Sequence, residues 1–415
     1  MLVMLVKPAD ISPHECASTF FPTGLRTFLD ICRVQSLVEY PAHRIASRSW
    51  TLQVLQVKES VFIKWEKADL NQQYAILPTK CNELCNIAAN SKYVTLKMTG
   101  VPSKHVWCGG ASARVIQRRI MRTPHFVTDS MQQAQGLSSW LISHFEELKS
   151  KASEVSKHCK LIGLEPWFVG RNLLMEFVYD SADAAGQNGV TITTWHACQW
   201  ALKQIAKEQP DINIREFYIE TKFSGDKNAV AKNYIKGRGL EVQAEAYVTE
   251  SVLQNVLKVD SSTLYKAFHA LQMAAQRSGS YGVNQCVSNT IAGISAATGQ
   301  DLASVHESSW AVFDVTVERN IKVAAGVESN EEYEPGIYAS LVIPALLIGT
   351  VGGGTGTPTA KESLNMIGCF GKGRIYRSAE IIASFALAME LSTLSAIASG
   401  QFASAHNRLG RNRPE

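Results

Sequence analysis

Ser224-Gly225-Asp226-Lys227-Asn228 sets a lysine beside an aspartate in a glycine-bearing loop. An ammonium held there can meet a carbonyl oxygen as charge builds on it, while the neighbouring carboxylate orients the loop. Gly349-Thr350-Val351-Gly352-Gly353-Gly354-Thr355 follows the apolar stretch Tyr338 to Ile348 and precedes a helix expected from about Pro358. Bare backbone lets successive N–H groups face a phosphate or a flat cofactor that a side chain would keep away. The spacing is neither G-x-G-x-x-G nor G-x-x-x-x-G-K-[ST], so the dinucleotide and P-loop fingerprints both fail. Asp183-Ala184-Ala185-Gly186-Gln187-Asn188-Gly189 puts an acid, a glycine and an amide ahead of an expected helix, which suits a polar ligand held by backbone N–H groups. Upstream, Lys157 and Lys160 could meet a phosphate. Gly299-Gln300-Asp301 ends a small-residue helix, where a carboxylate opposes the helix dipole unless a cation or a function compensates. His406 falls in the tail Ala405 to Glu415. Taken singly, these runs also read as a tight strand exit, a polar turn, a capped loop and solvated surface groups.

The elements that must position them follow from hydrophobic period and breakers. Residues 1–49 read as a small helical segment with an amphipathic stretch from Leu25 to Leu37. Trp50 to Lys64 is strand-like, and Leu84 to Ala89 looks like the start of a buried helix. Past Arg122-Thr123-Pro124 the texture changes to a polar helix over Met131 to Lys151, a strand over Trp167 to Val178 and a helix over Thr193 to Glu208. This compact α+β insertion closes near Phe217. Leu240, Val242, Ala244, Ala246 and Val248 then alternate as a half-buried strand. Asn289 to Thr298 and Ser378 to Gly400 are helices rich in Ala, Ser and Gly that permit close packing.

The bulk properties are those of a globular protein of two or three domains: 415 residues, 46% hydrophobic and 19% charged. A formal net charge of +4 gives no basic field of the kind a nucleic-acid binder shows. The nine cysteines are odd in number and scattered, which fits reduced thiols in a cytoplasmic setting, and no metal site is expected. The most apolar run, Ile381 to Ser399, carries Glu390 and many small residues, so a packed helix is expected there and no membrane span.

Five runs in this order resemble the catalytic portion of the 3-hydroxy-3-methylglutaryl-coenzyme A (HMG-CoA) reductase family: Gly109 to Val115, Asp183 to Gly189, Asp226 to Gly239, Ala297 to Asp301 and Gly349 to Thr355. The resemblance covers about Lys80 to Arg408. It implies reduction of a CoA thioester to a primary alcohol by two hydrides from NADPH, releasing mevalonate and CoA. It also implies an α+β fold, with a large mixed α/β substrate domain over 50–124 and 217–415. A small ferredoxin-like NADP-binding domain would be inserted over 125–216, and the active sites would be shared in a homodimer or homotetramer.

For the catalytic residues the resemblance implies Lys227 as the cation on the carbonyl oxygen and Glu83 as the acid. Asp301 would tune both, and His406 would protonate the departing thiolate. Arg122, Asp226, Asn289 and Lys258 would bind substrate or CoA. Asp183, Asn188 and Gly352, Gly353 and Gly354 would face NADPH, with Lys157 near its 2′-phosphate. Full-length family members are often anchored in the endoplasmic reticulum membrane, and no such anchor is expected in this chain.

The chain also departs from the family pattern. Arg48 to Lys64 retains almost none of a glycine- and proline-rich substrate segment. Glu220 stands where a substrate-binding serine is expected, Asn228 replaces a lysine, and His269 falls where another lysine is expected. These changes leave a second expectation open, a catalytically impaired relative that binds NADPH or a CoA thioester in a regulatory or structural role.

Overall fold

The computed structural model describes residues 111–322 and 333–409, the last four by backbone only, together with the backbone of three earlier strands. The helical segment expected within 1–49, the helix start at Leu84 to Ala89, and Glu83 lie outside the described residues. β1 (Trp50–Val57) and β2 (Ser60–Lys67) pair antiparallel, with β3 (Lys97–Thr99) parallel to β1. The strand-like run from Trp50 is therefore two strands.

From Ala111 the chain runs β4 (Ala111–Arg122), β5 (His125–Thr128), α1 (Met131–Ser143), α2 (Phe145–Val155), β6 (Lys160–Val169), β7 (Asn172–Asp180), α3 (Gln187–Glu208) and β8 (Ile214–Tyr218). Two single-element expectations divide here. The helix expected over Met131 to Lys151 breaks at His144, whose backbone N–H turns back to Trp140 O (3.1 Å) while its ring stacks on the Trp140 indole at 4.0 Å. The strand expected over Trp167 to Val178 is a hairpin, turned at Gly170 with φ of +57°. Downstream come α4 (Ala231–Lys236), β9 (Gly239–Thr249), α5 (Ser261–Ser278), α6 (Val287–Thr298), α7 (Val305–Ser308), β10 (Val312–Lys322), β11 (Tyr333–Leu346), α8 (Pro358–Met366), α9 (Ile375–Ala398) and α10 (Phe402–Leu409).

One mixed sheet runs β10-β11-β9-β4-β7-β5-β8, with β6 on the other edge of β7. β4 belongs to both halves: Ala111 to Arg119 pair with β9, and Ile120 to Arg122 pair with β7. The alternation expected from Leu240 to Val248 is present in β9, whose Val242, Ala244, Ala246 and Val248 are buried. That face packs on α9, α6 and α5 in one apolar core. β5, β7 and the helices α1 to α3 build a second core around Phe126, Leu141, Phe177 and Tyr179. Along the second half the strand order is β8-β5-β7-β6, all antiparallel.

α9 is the described helix long and apolar enough to cross a membrane by composition, and most of it is buried within the fold. Its buried Glu390 accepts the backbone N–H groups of Gln285 and Cys286, each at 2.6 Å. A carboxylate so placed ties the start of α6 to α9, at a desolvation cost that lifts its pKa above the usual range.

Candidate active site

The Lys227 loop is shaped by its glycine and fixed by carboxylates. Gly225 adopts φ of +70°, and a Cβ there would lie 2.4 Å from Asn233 Nδ2, so only glycine lets the turn close. Lys227 itself has φ of +58°, a left-handed conformation rare for a non-glycine residue. What holds it there is the backbone: Lys227 N–H donates to Glu307 Oε1 (3.1 Å) and Asn228 N–H to Gly225 O (3.1 Å). The side chain then reaches Asp301, Nζ to Oδ2, at 3.1 Å. The hydrogen bond and the charge of Asp301 raise the Lys227 pKa, which keeps the ammonium charged through neutral pH.

Beneath this pair lies a buried arginine–carboxylate layer. Arg238 is fully buried, giving Nε to Glu307 Oε2 (2.6 Å), Nη2 to Asp226 Oδ1 (2.6 Å) and Nη1 to Met121 O (3.2 Å). Arg122 pairs with Glu220 and also reaches Asp226 Oδ2 (3.3 Å) and Gln187 O (3.3 Å). Burial pushes the Asp226 carboxyl up, but Arg238 and Arg122 together hold it below its ordinary value. Burial prevails at Glu307, whose pKa is raised despite Arg238. Both oxygens of Asp226 are thus taken by arginines. Asp226 and Arg122, expected as substrate contacts, are paired within the protein here: Asp226 braces the loop, and Arg122 is a buried guanidinium held by Glu220 and Asp226.

The other three runs meet this loop. Gln187 donates from Nε2 to Asp301 Oδ2 (3.4 Å) and Ser304 Oγ (3.0 Å), which brings the first turn of α3 against the Lys227–Asp301 pair. α3 starts at Gln187, not at Thr193, because Gly186 takes φ of +96° and ends the preceding loop. Gln300, beside Asp301, clasps Gly349 at both ends, Nε2 to Gly349 O (2.9 Å) and Gly349 N–H to Oε1 (2.8 Å). Asp183 O accepts Thr350 N–H (2.8 Å) and Val351 N–H (3.3 Å).

The glycines of this run divide by role. Around Gly352 and Gly353 a Cβ would meet nothing within 4 Å, so their backbone is open for a ligand to approach. A Cβ on Gly354 would instead lie 2.5 Å from Gly299 O, so Gly354 serves close packing. Asp183 Oδ1 accepts the N–H groups of Arg374 (3.1 Å) and Ile375 (3.2 Å), capping α9, so one of its oxygens is committed to the fold. Asn188 is exposed in the first turn of α3. Lys157 is exposed on the turn before β6, two residues from Cys159, whose Sγ would lie 2.6 Å from a Cβ on Gly189. Open backbone, an exposed amide and a nearby lysine fit a flat, phosphorylated cofactor.

Not every expected residue joins the cluster. Asn289 is exposed in the first turn of α6, and Lys258 is exposed with Nζ on Asn255 O (2.5 Å); neither forms a hydrogen bond or ion pair with Lys227 or Asp301. His269 is exposed on α5, stacked beside Tyr265. His406 falls within α10, and its side chain lies outside the described residues. Among the described residues, no group of His, Cys, Asp and Glu is placed to hold a metal ion. Sequence reasoning missed Glu307, Arg238, Gln187 and Gln300 as organisers. Gln187, Gln300 and Arg238 each lie beside a glycine in a run that the sequence marks, whereas Glu307 carries no local signal.

These contacts come from an α+β fold whose lysine–aspartate pair adjoins glycine-lined backbone. A sequence model described as hydroxymethylglutaryl-coenzyme A reductase matches residues 79–411. The 3-hydroxy-3-methylglutaryl-coenzyme A reductase of Methanocaldococcus jannaschii is 36% identical over 306 residues, 73% of this chain and 71% of that protein. That of Aeropyrum pernix is 35% identical over 309 residues, 73% and 69% of the two chains. Among solved structures, the reductase of Streptococcus pneumoniae aligns with a TM-score of 0.53 at 14% identity, covering 92% of this chain and 94% of its own. A class II reductase from the same organism, bound to NADPH in open conformations, aligns with a TM-score of 0.52 at 16% identity over the same shares. This chain belongs to the hydroxymethylglutaryl-coenzyme A reductase family.

Proposed function

We propose that this chain reduces HMG-CoA to mevalonate and CoA with NADPH. The observation that carries the reading is the Lys227–Asp301 contact, set beside the open backbone of Gly352 and Gly353 and the exposed Asn188. In balance, one thioester, two NADPH and two protons give one alcohol, one thiol and two NADP⁺. NADPH supplies the two hydrides when bound.

The chain's own residues supply charge and protons. Lys227 Nζ meets the carbonyl oxygen as it becomes an oxyanion, and loss of one such donor costs roughly 3 to 4 kcal/mol of barrier. Asp301 holds the ammonium in place and charged. By the family correspondence Glu83 gives the proton to the oxyanion and His406 protonates the CoA thiolate. Asn188, Gly352 and Gly353 would line the NADPH face and Lys157 the 2′-phosphate, while Asn289 and Lys258 would meet substrate or CoA from outside the Lys227 cluster.

The segment 125–216 would be the inserted, ferredoxin-like NADP-binding domain; the strand order β8-β5-β7-β6 supports this reading, as does the element order β-α-β-β-α-β once α1 and α2 are taken as one broken helical crossover. Residues 50–124 and 217–415 would form the substrate domain. A homodimer or homotetramer follows from the family correspondence, and light scattering of the purified chain tests it. For the reaction, mevalonate and free CoA thiol should both form from HMG-CoA in the presence of NADPH. Neither product in folded protein would reject the reading.

A further inference from the structure

Three cations at the site, Arg122, Arg238 and Lys227, face four carboxylates, Asp226, Glu307, Asp301 and Glu220. Asp226 is shared by both guanidiniums, Glu307 pairs with Arg238 and Asp301 with the ammonium, while Glu220 pairs with Arg122 alone and has Lys222 as a further cation on the same loop. Glu220 also differs in position. Its side chain is 38% exposed, on the loop that follows β8, while the Arg122 side chain it pairs with is 4% exposed. Its other contact is a long hydrogen bond from Ser224 Oγ at 3.4 Å. Arg122 Nε has no hydrogen-bond partner. Beside the pair opens a hollow of about 280 Å³ lined by Glu220, Thr221, Lys222 and Asp226, large enough for a small acyl group.

We infer that Glu220 is a displaceable carboxylate cover on Arg122: a carboxylate on the substrate's acyl group takes its place on the guanidinium. A buried guanidinium needs a counter-charge. Asp226 cannot be the group that leaves, because Arg238 also holds it, whereas Glu220 has one exposed end and can turn to solvent. Exchange of one carboxylate for another keeps the charge on Arg122 constant. A neutral acyl thioester offers nothing to exchange and finds Arg122 closed, so the cover selects for acids by competition. The inference rests on the substrate being a thioester with a free carboxylate.

Calorimetric binding of 3-hydroxy-3-methylglutarate to the full chain tests it, comparing the native protein with Glu220→Gln and Glu220→Asp, and the acid with its neutral monoamide. Glu220→Gln should bind the acid about tenfold more tightly, a ratio equal to about 1.4 kcal/mol, with no gain for the amide. Glu220→Asp, a shorter cover of the same charge, should fall between. Equal or weaker binding of the acid by Glu220→Gln, with a native-like melting temperature, overturns the inference, as does an equal gain for the amide. If Glu220→Gln does not fold, Glu220→Asp decides, and native-like affinity there overturns it. Turnover of HMG-CoA by the native protein with no change in KM on either substitution removes the cover and leaves the proposed reaction standing. No acid binding together with no NADPH oxidation removes both.

Discussion

Lys227 Nζ lies 3.1 Å from Asp301 Oδ2 while the Lys227 backbone N–H is held by Glu307, so carboxylates from one later segment fix both ends of a single residue. Its left-handed backbone, at φ of +58°, is the conformation that such fixing must maintain.

Asp301→Asn should separate catalysis from stability. The pair is half-exposed, 49% and 37% for the two side chains, and exposed pairs contribute about 0 to 1 kcal/mol to folding. The substitution removes the largest influence that raises the Lys227 pKa. We expect kcat to fall by about 10²-fold, the low end of what a positioned proton-transfer group contributes, with the urea midpoint nearly unmoved. Steady-state kinetics beside a denaturation curve read both.

Glu307→Ala should do the reverse in magnitude. It leaves the fully buried Arg238 without its Nε acceptor and frees the Lys227 N–H. Breaking one partner of a buried pair costs about 3 to 5 kcal/mol, and chemical denaturation should show a loss of that size together with lost activity.

The pH dependence of stability should fall on both sides of a maximum. Asp226 has a folded pKa below 3.8, so the stability it contributes is present above that value and is lost as pH falls through the folded pKa. Glu390 has a folded pKa above 4.5, raised by burial, so its contribution is full below that value and is lost as pH rises through the folded pKa. Melting temperatures should decline below about pH 4 through Asp226. Those of Glu390→Gln should lack the component that declines above about pH 4.5 in the native protein.

Gly353→Val should weaken NADPH binding without unfolding the chain. The position has φ of +55° with open space around it, so a valine adds strain of roughly 1 to 2 kcal/mol but no clash within the protein. Nicotinamide fluorescence should show about tenfold or greater loss of affinity, since the new side chain stands where a flat ligand would approach. Unchanged affinity would take this backbone out of the cofactor surface.

Much of this was legible in the sequence where the signal is local. β9 announces itself by alternation, α9 by a long small-residue apolar run, and the lysine loop by its glycine. What stayed hidden depends on distant partners. The break at His144 has neither Gly nor Pro and comes from packing on Trp140. Glu307 sits in an ordinary polar stretch, and only the fold reveals that it carries Lys227 and Arg238 together. Arg122 was marked as a ligand-binding arginine, yet its pairing with Glu220 joins residues from β4 and the loop after β8 that no local pattern connects.

The most direct single measurement is the stoichiometry of NADPH oxidised per CoA thiol released from HMG-CoA, with native protein and Lys227→Ala side by side. Two NADPH per thiol are expected in the native protein, with a rate lowered about 10² to 10³-fold in the variant, as for loss of one oxyanion donor. A ratio other than two, or equal rates in the two proteins, would contradict the assignment of Lys227 as the cation on the reacting carbonyl.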